Sequence, residues 1–197
     1  MGKKARVWDG TAWQELASAQ TDLTAYSTTA QMNTAITAGP RMTLLSTTTL
    51  SGASTVVSSI SQAYADLEIW VYGMTNATGN SGPNFRPNST INLIHAAGSS
   101  NVNGTLALIG INNSNIQTAN SGLRTDANNA VKIRIQNYAS TTNHKNLEYV
   151  MSFASTSSTP ITEQYVGVIK TNSAITSMEF VNGGGNWSTG TVQIWGS

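Results

Sequence analysis

Leu67-Glu68-Ile69-Trp70-Val71-Tyr72 sets Leu67, Ile69 and Val71 on one face of an extended chain. Strand side chains alternate between faces, so a run of this kind reads as a strand with one buried side. Val131-Lys132-Ile133-Arg134-Ile135-Gln136 repeats the pattern, with Val131, Ile133 and Ile135 opposed to Lys132, Arg134 and Gln136. Working outward from these two runs, short apolar stretches between turn residues predict strands near Met42 to Leu50, Thr55 to Ile60, Leu67 to Met74, Thr90 to His95 and Thr105 to Ile111. Further strands are predicted at Val131 to Tyr138, Leu147 to Phe153, Tyr165 to Lys170, Ile175 to Phe180 and Thr191 to Trp195. Many short strands with no helical stretch among them predict a mainly β domain, an antiparallel β-sandwich of jelly-roll-like type. No internal repeat is visible, which argues against propellers and solenoids.

Composition agrees with this class. Thr, Ser and Asn make up 70 of the 197 residues, while charged residues are only 10%. β-Branched Thr suits pleated surfaces, and Asn, Ser and Gly supply the turns. A formal net charge of +1 leaves no broad basic field of the kind duplex nucleic acid demands. No apolar run approaches the roughly 18 residues of a membrane span, and MGKKARVWDG carries no apolar stretch behind its lysines, so neither membrane insertion nor Sec export is expected. With no cysteine, disulfides, thiolate zinc sites and cysteine nucleophiles are excluded together.

The chain divides near Gly39-Pro40 into an N-terminal region, residues 1–41, and a sandwich, residues 42–197. In the first, Val7-Trp8-Asp9-Gly10-Thr11-Ala12-Trp13 places Asp-Gly between short apolar runs, the signature of a two-residue type I′ hairpin turn. A two-stranded ribbon is marginal alone, so its tryptophans require something to dock on: their own domain or a partner. Farther on, Thr28 with Gln31 forms a capping box and Gly39-Pro40 a stop, framing a short helix with Met32, Ala35 and Ile36 on one face. A helix that short needs partners, its own domain or copies of itself.

Chemical motifs are sparse. His95 and His144 have no carboxylate at metal-ligand spacing, and Asp66, Glu68, Asp126, Glu148, Glu163 and Glu179 show no pairing that would split their pKa values for acid and base roles. There is no G-x-S-x-G elbow, and Gly183-Gly184-Gly185 leads into Asn-Trp-Ser rather than a phosphate loop, reading as a hairpin bend before the last strand. No catalytic residue, metal or cofactor is assigned. The candidates for ligand contact are Asn84, Phe85 and Arg86, in a polar connection from Thr75 to Asn88, and Asn186 with Trp187. Aromatic rings on polar loops can stack on sugars while Asn and Arg bond hydroxyls; the same rings could cover a core end or a subunit interface.

Lys4-Ala5-Arg6-Val7-Trp8-Asp9-Gly10-Thr11-Ala12-Trp13 resembles a short N-terminal element of bacteriophage fibre and head-decoration proteins, often followed by a Thr/Ala-rich helical linker like residues 27–39. Ser58 to Ile60, Tyr64-Ala65-Asp66-Leu67-Glu68-Ile69 and Gly190-Thr191-Val192-Gln193-Ile194-Trp195-Gly196 are similar to runs in the trimeric C-terminal domains of those proteins. The resemblance implies a virion protein assembled in the host cytoplasm. It implies a homotrimer, with Val7, Trp8, Asp9, Gly10 and Trp13 attaching to other virion proteins, Met32, Ala35 and Ile36 forming a trimer stalk, and the sandwich facing outward. The expected function is a short tail fibre that binds host surface polysaccharide. A head fibre or capsid decoration protein is the alternative, and a glycan depolymerase is disfavoured by the scarce carboxylates.

Overall fold

A computed structural model describes residues 6–15, 42–77, 82–90, 94–102, 104–113, 116–117, 129–154 and 160–197. The chain separates into two units, Met1–Arg41 and Met42–Ser197. In the first, β1 (Arg6–Trp8) pairs antiparallel with β2 (Trp13–Glu15), Trp8 opposite Trp13. The turn differs from the expected one. Among the described residues outside glycine, Asp9 is not at positive φ, whereas Gly10 is at +98°. The Asp9 carboxylate Oδ1 instead accepts from the Thr11 and Ala12 amides, both at 2.8 Å, and the Asp9 N–H donates to the Ala12 carbonyl. The bend therefore centres on Gly10-Thr11, because a short carboxylate competes for neighbouring amides. The predicted helix, with Met32, Ala35 and Ile36, lies outside the described residues.

The second unit is built from antiparallel sheets. Its strands are β3 (Thr43–Thr49), β4 (Ser54–Val57), β5 (Asp66–Asn76), β6 (Pro83–Pro87), β7 (Ile94–Val102), β8 (Thr105–Asn113), β9 (Ile116–Gln117), β10 (Asn129–Gln136), β11 (Lys145–Ala154), β12 (Pro160–Ile169), β13 (Met178–Asn182) and β14 (Trp187–Gly196). Eight of them form one sheet in the order β3-β14-β5-β10-β11-β12-β7-β8; four form a second in the order β4-β13-β6-β9. With the hairpins β7–β8 and β11–β12 set aside and the other eight strands renumbered along the chain, the sheets read 1-8-3-6 and 2-7-4-5. Both extra hairpins extend the larger sheet beyond β10, and they join one another where β12 pairs with β7.

One apolar core lies between the sheets. Phe85 of β6 sits 5.6 Å from Phe180 on its own sheet and 6.2 Å from Tyr149 of β11 across the gap. Leu67, Ile69, Ile133, Ile135, Met178 and Ile194 are fully buried around them. Each such side chain contributes about 1.5–3 kcal/mol on leaving water. Alternation along β10 is the one read from the sequence, with Val131, Ile133 and Ile135 inward, and β11 alternates likewise with Leu147, Tyr149, Met151 and Phe153 inward.

Long-range hydrogen bonds tie both ends of the two sheets. At one end, the connections between sheets run side by side: Trp187 N–H donates to Gly52, Asn182 to Ala53, Ala77 to Asn186 and Gly183 to Gly82. The glycine run 183–185 is thus a crossing from β13 to β14 in different sheets, not the hairpin bend expected. At the other end, Asn88 accepts from the Thr176 and Ser177 amides and donates to Ala174, and Tyr138 O–H donates to the Ser61 carbonyl. Three expectations shift. The Thr75 to Asn88 connection contains β6. Thr90 turns back onto Pro87, so the strand expected from Thr90 to His95 begins at Ile94 and runs on to Val102. The last strand starts already at Trp187.

β5 carries one feature that alternation alone does not reveal. Val71 pairs with Val131 and Met74 with Asn129, while on the other side Tyr72 pairs with Thr191 and Thr75 with Thr189. An extra residue therefore bulges from β5 at Gly73, which has φ +64°. The bulge resets the phase so that Met74 turns inward after Tyr72 turns outward. Buried Asn129 fastens it, donating to the Met74 carbonyl at 2.8 Å and accepting from the Ala154 amide.

Candidate functional site

The residues singled out in the sequence fall into three groups. Trp8 and Trp13 are 51% and 63% exposed, with ring centroids 5.6 Å apart. Two facing indoles thus stand exposed on a two-stranded ribbon whose turn is set by Asp9 and Gly10. The sugar-stacking set does not hold as expected. Phe85 is fully buried in the core, and Trp187 is buried with its indole N–H donated to the Phe180 carbonyl at 3.2 Å. Asn84 is buried on β6, and Arg86 lies 3.6 Å from Glu179. Asn186 is exposed, and its carbonyl holds the Ala77 amide. Rings packed inside the molecule offer no face to a sugar, so Phe85 and Trp187 pack the core instead, while Arg86 and Asn186 stay at the surface without them. Met32, Ala35 and Ile36 lie outside the described residues.

A different cluster stands on the outward face of the larger sheet. Trp70 and Tyr72 of β5 are 44% and 43% exposed, one pleat apart. Across from Trp70 comes Lys132 of β10, then Val150 of β11. Ala130 and Ser152 complete a shallow groove of about 250 Å³ along the aromatic pair. The neighbouring row holds Glu68, Arg134 and Glu148 in register, with Asp66 2.8 Å from Arg134. Residues 42–197 contain six basic and six acidic side chains; Asp66, Glu68, Lys132, Arg134 and Glu148 of that set crowd onto three adjacent strands.

Glu68 organises this patch. Its Oε2 accepts from Trp70 Nε1 at 3.1 Å and from Lys132 Nζ at 2.9 Å, and that ammonium also sits 5.4 Å from the indole centroid. Burial alone would push the Glu68 carboxyl up; the Lys132 and Trp70 hydrogen bonds and the charges of Lys132 and Arg134 outweigh it and hold the group below the usual glutamate value. Glu68 is thus ionised near neutrality, and the indole is held edge-on to a carboxylate with a cation against its face. The signal for this cluster was present in the sequence: alternation that buries Leu67, Ile69 and Val71 necessarily turns Trp70 and Tyr72 outward.

Inside the core lies a second polar group. Glu163 is fully buried, accepting from Tyr165 O–H at 3.3 Å, and Tyr149 O–H points at the Met151 sulfur 2.8 Å away. Burial, then the Glu163 charge and Tyr165, push the Tyr149 phenol well above its ordinary pKa. Among the described residues no three His, Cys, Asp or Glu side chains gather as metal ligands. No protein-family model matches the sequence, and no curated protein matches it.

Proposed function

We propose that this chain is a structural protein of a bacteriophage virion, a short trimeric fibre whose N-terminal hairpin attaches to the particle and whose β body meets host surface glycan. The 1-8-3-6 and 2-7-4-5 orders support reading the body as a jelly-roll sandwich with two added hairpins. The observation that carries attachment is the pair of exposed tryptophans facing each other across β1 and β2, since an apolar pair on so small a ribbon gains stability by burial in another protein. The body supplies the outward part: charge-poor and rich in Thr and Ser, it can meet neighbouring copies at low desolvation cost.

The test uses purified particles of the encoding phage. The full chain is expected to co-sediment with them and to run at three times its chain mass in ultracentrifugation. The W8A/W13A double variant is expected to stay folded and leave the particle. A variant that binds particles as well as the parent would overturn the attachment role, and a monomeric parent would overturn the trimer. The short stretch between β2 and β3, residues 16–41, favours a head fibre or capsid decoration as the second reading; antibody labelling of particles on the head rather than the tail would select it.

A further inference from the structure

We infer that the outward face of β5, β10 and β11 is a neutral-glycan site, with Trp70 and Tyr72 as its stacking platform and Lys132, Glu68 and Ser152 as its polar edge. This assignment rests on the glycan-facing role proposed above and moves it away from Phe85 and Trp187, whose rings are buried. Trp70 and Tyr72 are two residues apart on one strand face, which spaces their Cα atoms by roughly 7 Å. Large aromatic surfaces at that spacing can underlie consecutive sugar rings, because the C–H faces of pyranoses bury against π systems while their hydroxyls stay at the rim.

Three observations favour this occupant. The indole is oriented before any ligand arrives, by Glu68 at its N–H and Lys132 against its face, which lowers the ordering cost of binding. The groove beside it is shallow and small, about 250 Å³, suited to a ring or two rather than to a protein knob. Lys132 lines it, Glu68 bonds both Lys132 and Trp70, and Asp66, Arg134 and Glu148 stand in the adjoining row on one side. A protein partner would have to dehydrate them, and the cores of protein interfaces are depleted in Lys, Glu and Asp. A sugar brings hydroxyls that bond ionised groups in place of water. Lys132, the charged residue lining the groove, is ion-paired with Glu68, and three acids against two bases across the patch leave no net positive field to favour an acidic polysaccharide.

The Gly73 bulge belongs to the same device. It lies immediately after Tyr72 and turns the following residue inward, ending the aromatic row at that point; bulges recur where a strand must re-aim a side chain beside a site.

The experiment applies the full-length chain to an array of immobilised bacterial surface polysaccharides, neutral and acidic, and measures affinity for each one retained. Retention of neutral glycans is expected, weakened about tenfold or more by W70A and by Y72A, largely kept by W70F, and unchanged by R86A. Matching thermal melts of the variants show that the fold survives. An array with nothing retained, W70A binding as tightly as the parent, or retention confined to acidic polysaccharides would overturn the assignment. A change of sedimenting mass in W70A would overturn it too, marking the face as a contact between copies. Particle association is read in parallel: W70A is expected to remain on virions, and W8A/W13A to leave them while still binding glycan, so the two proposals fail separately.

Discussion

Lys145 shows how much one side chain can hold. It opens β11 on the buried face, yet its ammonium donates to three carbonyls, Ser140 and Asn143 at 2.7 Å and Thr171 at 2.9 Å. Burial pushes its pKa below the ordinary lysine value, while three carbonyl dipoles stabilise the cation. One charge thereby joins the β10–β11 turn to the segment after β12. Lys145→Met would keep the stem's packing and leave the carbonyls without their donor, so a loss of roughly 3 kcal/mol is expected, read as a lowered urea midpoint with an unchanged slope. In the sequence, Lys145 looks like the solvated end of a polar loop. Nothing local distinguishes it, because its partners come from two separate connections. Phe85 misleads for the opposite reason: Asn84, Arg86 and two prolines surround it in sequence, and only pairing with β13 reveals that it faces the core.

At the scale of elements, alternation was the readable part. β5 and β10 lie where their periodicity puts them, since a run of inward β-branched and aliphatic residues can be satisfied in one phase only. Positions that depend on distant neighbours were not readable: β6, the onset of β7 and the crossing at 183–185. The exposed aromatic pair was legible in phase but carried no mark of use until the charges of β10 and β11 were seen beside it. Gly98 illustrates the long-range term. It faces Tyr165 across the β7–β12 ladder, and an added Cβ would lie 1.8 Å from the Gln164 carbonyl oxygen. Gly73, at φ +64°, has nothing within 4 Å of such a carbon. Gly98→Ala is expected to cost about 3 kcal/mol through forced separation of the strands, and Gly73→Ala about 1–2 kcal/mol through backbone strain alone. Parallel thermal melts would rank them; equal losses would mean that β7 and β12 separate more easily than their register implies.

The whole molecule joins an eight-strand frame to two inserted hairpins of unequal standing. β11 and β12 send Leu147, Tyr149, Met151, Phe153, Ile161, Tyr165 and Ile169 into the core, and β11 rests directly on β10. Excising Lys145–Ile169 behind a short linker is expected to abolish cooperative unfolding, followed by circular dichroism. Excising Ile94–Asn113 is expected to leave a cooperative transition with a newly bare edge on β12. Loss of cooperativity in both would show that the frame has no independent standing.

The β12–β7 junction also sets an order of dependence between the two ribbons. β12 pairs with β11 on one side and with β7 on the other, while β7 and β8 reach the sheet only through β12. The outer ribbon thus depends on the inner one for its lateral hydrogen bonds, and the inner one owes nothing to the outer.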